Sequence, residues 1–444
     1  MITTTPLVLA AAAITAGGDA SFAKQTLTKD FVAEGCAVAD FNHDGKLDVA
    51  SGRFIWLGPE FKQQIAYTPE RRNPAGSITQ TPYRADTGYS DYFIQFAHDF
   101  NGDGWPEVLV YGAPGEPVSV FENSKVMPEP AAKPGPKAAS KPAPRPRLGA
   151  KKPPAQQPAA EEPADSAAPE TSWTRHDLYD VCNGESPDFK DIDGDGKPEL
   201  LFHTGGQIGY ATIDWANPFA RARFHAITPK SLDNDQRVVR YMHGYGVGDV
   251  NRDGRIDIVE KGGWYEQPAD ITSDSNWAFH PANFGEGGAQ MYVYDVNNDG
   301  RNDVISGIKA HDYGLSWFEQ NADGSFTEHA ILGRNPEENA NGAGFSQIHA
   351  IQLVDINGDG ALDIVAGKRR WAHGPMGDVE PMGDPVICWF ELKREAGGDV
   401  KYVKHVIDAD SGVGTQFWTG DINGDGKPDA VVGNKHGVFV FTQK

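Results

Sequence analysis

Residues 355–367 read DINGDGALDIVAG, a loop of acidic and amide side chains that leads directly into an apolar, β-branched stretch. The loop begins Asp-x-Asn-x-Asp-Gly and has a further acidic residue at its ninth position. Gly at position 6 permits a sharp turn, and the β-branched residues that follow favour a strand. This stretch therefore predicts an oxygen-lined turn that opens a β-strand.

The same pattern occurs seven times along the chain, which marks a repeat protein. The loops begin at Asp40, Asp99, Asp191, Asp249, Asp295, Asp355 and Asp421. An aromatic stretch follows most loops, as in LSWFE at 315–319, and then an aromatic-x-x-His-x-aliphatic stretch, as in FTEHAI at 326–331. Each repeat thus predicts four short strands, which is the content of one β-propeller blade.

These repeats predict an all-β fold, a seven-bladed β-propeller with four-stranded blades. The last repeat ends at its third strand, and FAKQTL at 22–27 fits the missing fourth strand. A ring closed by strands from both chain ends has no open sheet edge. We assign residues 1–20 to a signal peptide, 21–126 to blades one and two, 127–170 to an insertion, and 171–444 to the rest of blade two through blade seven.

Two segments are predicted to lie outside the propeller. Residues 2–16 form a short apolar run followed by small residues, typical of a secretory signal and too short to span a bilayer. We therefore expect a secreted, periplasmic or cell-surface protein without a transmembrane segment. Residues 127–170 are rich in Pro, Ala and Lys, which predicts disorder. This composition fits two roles for the insertion, a solvated loop and an arm that binds a protein partner.

The charge balance and the cysteines narrow the function further. There are 62 acidic and 40 basic side chains, a formal net charge of −22, which argues against binding to nucleic acid or an anionic membrane. The three cysteines, Cys36, Cys182 and Cys388, are too few for a disulfide framework. We expect buried free thiols, although one pair could close.

The loop chemistry predicts Ca²⁺, which takes six to eight oxygen ligands. An EF-hand would need Glu at position 12 between two helices, and only one loop has Glu there, at Glu260. A metal-free acidic turn is the alternative. The predicted ligands for up to seven calcium ions, at positions 1, 3, 5 and 9, are Asp40, Asn42, Asp44, Asp48, Asp99, Asn101, Asp103, Glu107, Asp191, Asp193, Asp195, Glu199, Asp249, Asn251, Asp253, Asp257, Asp295, Asn297, Asp299, Asp303, Asp355, Asn357, Asp359, Asp363, Asp421, Asn423, Asp425 and Asp429.

A second site is predicted from the position six residues before each loop. If the loop joins strands one and two, these residues ring one mouth of the central channel, opposite the calcium loops. They are Glu34, Phe93, Glu185, His243, Ala289, His349 and Thr415. The loops between strands two and three open on the same face and carry Lys309, His311, Lys368, Arg369, Arg370, Trp371 and His373.

We therefore expect His243, His311, His349 and His373 to converge at the channel mouth. With Glu34 or Glu185 nearby, they suit Zn²⁺ or another divalent metal with an open coordination position. Lys309 and Arg370 suit an anionic intermediate, and Trp371, Tyr245 and Tyr313 suit stacking on a sugar ring. Ordinary polar channel residues that hold water are the alternative.

Other histidines are expected to serve the fold. His176, His329 and His405 recur at one position of the fourth strand, which marks a structural residue. His43 occupies the variable fourth position of the first loop and is expected to face solvent.

The repeats resemble the FG-GAP/VCBS class of calcium-binding propeller repeats. Three stretches are also similar to the propeller part of the aldos-2-ulose dehydratases and their secreted bacterial relatives, namely residues 243–268, residues 347–375 and AHDYG at 310–314. This resemblance implies a metal-dependent lyase or dehydratase that acts on keto-sugars or related carbohydrates. A non-catalytic cell-surface propeller that binds glycan or protein is the alternative.

Overall fold

A computed structural model describes residues 20–69, 81–126, 172–230, 238–271, 275–339, 344–395 and 397–444. Every helix or strand assigned in these ranges is a β-strand, so the fold is all-β as predicted. Within the same ranges, no helix is long and apolar enough to cross a membrane. The insertion predicted at 127–170 and nearly all of the predicted signal peptide lie outside the described residues.

The strands follow one another in short steps along the chain. The first half contains β1 Phe22–Thr28, β2 Ala37–Ala39, β3 Asp48–Ser51, β4 Phe54–Leu57, β5 Gln63–Ala66, β6 Ile94–His98, β7 Glu107–Tyr111, β8 Glu116–Glu122, β9 Thr174–Lys190, β10 Glu199–Thr204, β11 Gln207–Thr212 and β12 Arg223–Ala226. The second half contains β13 Tyr245–Gly248, β14 Asp257–Glu260, β15 Gly263–Glu266, β16 Ala278–Pro281, β17 Met291–Tyr294, β18 Asp303–Gly307, β19 Leu315–Gln320, β20 Phe326–Leu332, β21 Ile348–Val354, β22 Asp363–Lys368, β23 Ile387–Arg394, β24 Val400–Asp408, β25 Phe417–Gly420, β26 Asp429–Asn434 and β27 Gly437–Gln443.

Pairing sorts these strands into seven antiparallel groups of four, with β9 counted twice. The long β9 pairs with β8 near Thr174 and with β10 near Lys190, so two groups share one strand. β13 and β17 pair in parallel where Gly246 faces Met291, which joins two further groups. The sequence pattern alone suggests separate sheets, because it marks loops and strands but not pairing between repeats.

The two chain ends meet in one sheet. β1 pairs antiparallel with β27, with Phe22 opposite Gln443 and Thr26 opposite Phe439. The order β1-β27-β26-β25 completes the last group with the N-terminal strand. The role predicted for FAKQTL as a fourth strand is therefore observed.

The apolar core lies between neighbouring groups of strands. One cluster joins Leu201 and Tyr210 of the third group to Ile258 and Tyr265 of the fourth. The second strands, which follow the Asp loops, are buried along almost their whole length, as β18 and β26 show. Cys36, Cys182 and Cys388 are buried and free, as expected. Because adjacent sheets share each core, their first strands are held close together, and this packing positions the site described next.

Candidate functional site

Three imidazoles from three different strand groups meet in the structure. The ring centroid of His243 lies 5.1 Å from that of His311 and 5.3 Å from that of His349, and the last two are 4.9 Å apart. One nitrogen from each ring lies within 4.8 Å of the other two. His243 precedes β13, His311 lies between β18 and β19, and His349 belongs to β21. The packing of adjacent sheets, and not one local motif, creates this cluster.

The protonation of His349 can be read from its contacts. Its Nδ1 lies 3.3 Å from the carbonyl oxygen of Gln347, and a carbonyl can only accept, so Nδ1 carries the proton. Nε2 then holds a lone pair, and it has no hydrogen-bond partner among the described residues. Burial lowers the pKa of His349 well below its usual value, and the charge of Arg369 lowers it further. His349 is thus a neutral, buried imidazole whose Nε2 lone pair is free to bind a metal ion.

His311 also belongs to a second group of possible metal ligands, together with His373 and Asp378. Asp378 Oδ1 lies 2.8 Å from His373 Nδ1 and 3.3 Å from His311 Nδ1. Asp378 Oδ2 accepts a hydrogen bond from the backbone amide of His373 at 2.9 Å. Burial alone would raise the pKa of Asp378, but the hydrogen bonds from both histidines and from this amide hold it well below its usual value. Asp378 therefore stays charged and orients two imidazoles.

Arg369 organises the buried charges under the histidines. It is 2% exposed and its guanidinium bridges Glu34 and Glu185, with Nη1 at 3.0 Å from Glu185 Oε2. The same oxygen lies 3.3 Å from His243 Nε2. Burial alone would raise the pKa of Glu185, but His243 and Arg369 favour its charged form and lower the pKa to about 2. Glu34, which is wholly buried, has its pKa raised by that burial.

A pocket of about 580 Å³ opens above this cluster. It is lined by Tyr89, Phe93, Ala113, Pro114, Glu116, Glu185, Arg240, Tyr241, His243, His311 and His373. Tyr89 and Tyr241 are 45% and 56% exposed, so their rings are available to a ligand. Arg240 is fixed by hydrogen bonds to the carbonyl oxygen of Pro114. The pocket combines imidazoles, two carboxylates and apolar ring faces.

Most of the residues six positions before the loops converge as the repeat pattern predicts. Arg369 joins Glu34 to Glu185 and lies with its guanidinium 5.3 Å from the ring centroid of Phe93. Thr415 Oγ1 donates to the carbonyl oxygen of Phe93, and its amide donates to that of Glu34. Residues from five different groups thus meet at one place.

Two cations expected at this site lie elsewhere. Lys309 forms ion pairs with Glu286 and Asp312, at 3.3 and 3.7 Å, and does not line the pocket. Arg370 places its Nη2 3.9 Å from Met382 Sδ, while the preceding residue, Arg369, takes the central position. Neighbouring residues of an extended chain point to opposite sides, so only one of the two arginines can enter the cluster.

The three aromatic residues expected to stack on a sugar, Tyr245, Tyr313 and Trp371, do not line the pocket. Tyr245 is buried and its hydroxyl contacts His203, and Tyr313 donates to Glu380 at 2.7 Å. Trp371 lies beside the Arg370 guanidinium and outside the pocket lining. Tyr89 and Tyr241 take this place instead. Tyr89, Tyr241 and Asp378 lie outside the repeat motif, so repeat alignment carries no signal for them. It predicts Arg369 in a loop on this face but not its central position.

The histidines on the fourth strands, at the outside of each group, contact neighbouring strands of the same group and lie apart from the central cluster. The Nε2 atoms of His176, His280, His329 and His405 lie 2.7–3.1 Å from a glutamate oxygen on the neighbouring third strand. Three of these rings also stack on a tryptophan, as His329 does on Trp317 at 4.3 Å. His43 is exposed, as expected, and its Nδ1 also contacts the carbonyl oxygen of Gly104 while its ring stacks on Trp105. It links two Asp loops while remaining exposed.

The Asp loops have the local order that a cation shell needs. In the first loop, Asp40 accepts hydrogen bonds from the amides of Asp44 and Gly45, and Gly45 has a left-handed φ of 82°. In the third loop, oxygens of Asp191, Asp193 and Glu199 lie within 4.8 Å of one another. These turns hold the acidic side chains together on one edge of each sheet.

The ninth position of six of the seven loops has a role that the sequence pattern did not predict. Asp363 accepts hydrogen bonds from the amides of Ile356 and Leu392, at 3.0 and 2.9 Å. Burial raises the pKa of Asp363 to about 7. The carboxylate at position 9 therefore clips the loop to the third strand in addition to any part in a cation shell.

Comparison with known proteins supports the repeat class. A family model described as an FG-GAP-like repeat matches residues 295–366. No curated protein sequence matches the chain. A solved structure described as showing specific recognition of non-reducing terminal N-acetylglucosamine by an Agrocybe aegerita lectin is similar, with 13% identity, a TM-score of 0.42, and coverage of 96% of this chain and 85% of that one. The family match, together with the repeated four-stranded groups, supports a β-propeller that contains FG-GAP-like repeats.

Proposed function

We propose that this chain is a secreted, seven-bladed β-propeller that holds a divalent transition metal at His243, His311 and His349 and uses it on a carbohydrate-type ligand. Each four-stranded group is one blade, and the β1–β27 pairing closes the ring. The meeting of Glu34, Phe93, Glu185, His243 and His349 at one mouth supports the ring, because these residues begin five different blades.

One observation carries the metal proposal, namely a buried imidazole nitrogen without a partner. Nε2 of His349 makes no hydrogen bond to any described residue, and His349 belongs to the three-histidine cluster. A buried polar atom without a partner is unfavourable by roughly 1–3 kcal/mol, so this site is built for something that binds the nitrogen. Neutral imidazoles are the most common ligands of zinc-type metals.

The surrounding residues favour chemistry on a polar ligand. A bound zinc-type ion would supply a Lewis acid that polarises a carbonyl oxygen. Glu185 lines the pocket and stays charged beside Arg369 and His243, so its carboxylate would orient His243 next to such an ion. The exposed faces of Tyr89 and Tyr241 suit the apolar face of a sugar ring. We therefore propose a lyase or dehydratase that acts on keto-sugars.

The Asp loops form the second part of the proposal. Their carboxylates and amide oxygens, ordered by the turns described above, suit Ca²⁺, which prefers six to eight oxygen ligands. These ions would be structural, because the loops lie at the edge of each blade, away from the histidine cluster.

The test compares the central histidines with an outer one. His243→Ala and His349→Ala should reduce zinc-type metal in the purified protein at least about tenfold, since each removes one ligand of three. His405→Ala is the matched control, because His405 contacts Glu391 on an outer strand and should leave the metal content unchanged. Elimination of water from a keto-sugar should be lost only in the first two variants. A parent protein without transition metal after growth in zinc would contradict the proposal.

A non-catalytic binding propeller is the second candidate. The exposed rings of Tyr89 and Tyr241 can hold a glycan without any reaction. Under this alternative, Tyr241→Ala weakens glycan binding, whereas His349→Ala affects neither a reaction nor the metal content.

A further inference from the structure

A second cleft of about 320 Å³ adjoins the histidine pocket. Tyr89 and His373 belong to the walls of both, so the two spaces are neighbours. The second cleft is also lined by Lys435, which follows β26 and takes no part in the proposed metal site. A lysine amine in an open, partly aromatic cleft is a candidate for chemistry of its own.

The surroundings of Lys435 are unusual for a buried cation. Lys435 is 7% exposed, and its Nζ lies 4.6 Å from the ring centroid of Tyr89 and 5.6 Å from that of Phe31. The nearest carboxylate oxygen, Glu34 Oε1, is 3.8 Å away, which is too far for a hydrogen bond. Glu34 Oε1 itself has no hydrogen-bond partner among the described residues. An amine and a carboxylate oxygen thus face each other across a gap.

We propose that Lys435 is a nucleophilic amine that forms an imine with a small aldehyde or ketone entering this cleft, with Glu34 as the proton acceptor. The Nζ lone pair attacks the carbonyl carbon, and the new C–N bond displaces the C=O π electrons onto oxygen. Glu34 Oε1 carries a first proton from nitrogen to that oxygen, which gives a carbinolamine with a hydroxyl group. It then carries the second proton from nitrogen to this hydroxyl, the C–O bond breaks, and the oxygen leaves as water while the C=N bond forms. Amine and carbonyl become imine and water, without oxidation or reduction.

The electrostatics of the cleft support a reactive amine. Burial lowers the pKa of Lys435 to about 8, partly opposed by Glu34 and reinforced by Arg369. At pH 7 roughly a tenth of such an amine is neutral, against less than about a thousandth for an ordinary lysine with a pKa near 10.4. Desolvation and a neighbouring cation are the two usual means of activating a lysine nucleophile.

Lys368 provides an internal control. Burial lowers its pKa to about 8 as well. Its Nζ, however, donates to Ser346 Oγ at 2.5 Å, and Lys368 lines neither cleft. If a lowered pKa alone made a lysine reactive, both residues would react, whereas the proposal expects reaction only where cleft and proton acceptor are present.

The experiment traps the imine on the full chain. The protein is incubated at pH 7 with glycolaldehyde and cyanoborohydride, which reduces an imine to a stable secondary amine, and modified lysines are identified by peptide mass spectrometry. We expect Lys435 to be modified at least about tenfold faster than exposed lysines such as Lys62, given its larger neutral fraction. Lys368 should remain unmodified. Modification of Lys435 no faster than that of Lys62, or equal modification of Lys368, would overturn the proposal.

Two further measurements separate this proposal from the metal site. Glu34→Gln should slow modification of Lys435 at least about tenfold, because the proton acceptor is lost. Removal of transition metal with a chelator should leave the modification rate unchanged, since no step uses the histidine cluster. A rate that falls with the metal but not with Glu34→Gln would contradict the assigned chemistry, even if the metal proposal holds.

Discussion

At the scale of single residues, Arg369 shows how a buried charge can hold distant parts of the chain together. It binds Glu34 and Glu185, which begin different strand groups, and Glu185 in turn contacts His243. Removal of one partner from a buried ion pair typically costs about 3–5 kcal/mol, because the other charge stays buried and unpaired. Arg369 therefore maintains both the fold and the position of one candidate ligand.

Lys368 is a buried cation that forms no ion pair with any described residue, and it allows a test of pH dependence. The unfolded chain keeps this proton up to a pH near 10.4, whereas burial lowers the pKa in the folded state to about 8. Between these values the unfolded state binds more protons, so stability should rise as the pH increases from about 8 to 10. Lys368→Met should raise the free energy of unfolding at pH 7 by roughly 1–3 kcal/mol and reduce this rise, as measured by urea unfolding.

The Lys368→Met measurement has a simple structural interpretation and a matched control. Ser346 Oγ also donates to the carbonyl oxygen of Val379 at 2.8 Å, so the variant leaves no orphaned hydroxyl. Lys401→Met, at an exposed position of β24, is the control and should not alter the pH profile. Because Lys435 contributes a similar slope, part of the rise should remain. A Lys368→Met protein that is less stable than the parent at pH 7 would contradict the interpretation of an unpaired buried charge.

At the scale of elements, polar side chains at the end of the third strand, or just after it, connect five of the Asp loops to the next group. Each donates to the carbonyl oxygen at the second position of the preceding loop. The pairs are Asn123 with Phe41, Gln267 with Ile192, Gln320 with Val250, Arg394 with Val296, and Gln443 with Ile356. These five contacts join neighbouring sheets at the edge that carries the loops.

Gln267 offers the sharpest test of these contacts. Its Nε2 donates to the carbonyl oxygens of Ile192 and Ile256, at 2.7 and 2.9 Å, in a buried position. Gln267→Met keeps the volume but leaves two buried carbonyls without this donor, which should cost about 1–3 kcal/mol in urea unfolding. Gln25→Met removes an exposed hydrogen bond to Glu60 and should change the unfolding free energy little. Equal effects of the two substitutions would mean that the contact between groups contributes nothing.

Strands that follow from the local sequence pattern could be predicted from the sequence. Contacts that depend on strand pairing between repeats could not. The turn chemistry of Asp-x-Asn-x-Asp-Gly and the β-branched residues after it predict the first two strands of each group, and FAKQTL fits the strand next to β27. The continuous β9 and the parallel β13–β17 contact arise from pairing across repeats, for which a single sequence has no local signal. For the site, repeat offsets brought His243 and His349 together and placed Arg369 in a loop on the same face, whereas Asp378 lies outside the repeat.

At the scale of the whole molecule, the negative charge of the chain is concentrated in the repeated Asp loops. The chain has a formal net charge of −22, and much of it lies in the seven Asp loops on the edges of the sheets. The loop motifs contain twenty-two carboxylates, three in each of seven loops plus Asp193. Seven divalent cations would cancel fourteen of these charges. Without cations, like charges within each loop repel one another and oppose the compact state.

Removal of calcium should therefore destabilise the entire fold rather than one blade. A ligand that binds only the folded state at about 100 times its Kd stabilises it by roughly 2.7 kcal/mol per site, and the loops that we propose to bind calcium recur in every group. Exhaustive treatment with a calcium chelator should lower Tm by at least about 10 °C in differential scanning calorimetry, and added Ca²⁺ should restore it. Added Mg²⁺ at the same ionic strength is the control, since it prefers a smaller, octahedral shell and should restore less. An unchanged Tm after verified removal of calcium would show that the amide-bonded turns, such as those that Asp40 makes with Asp44 and Gly45, hold the loops without a cation.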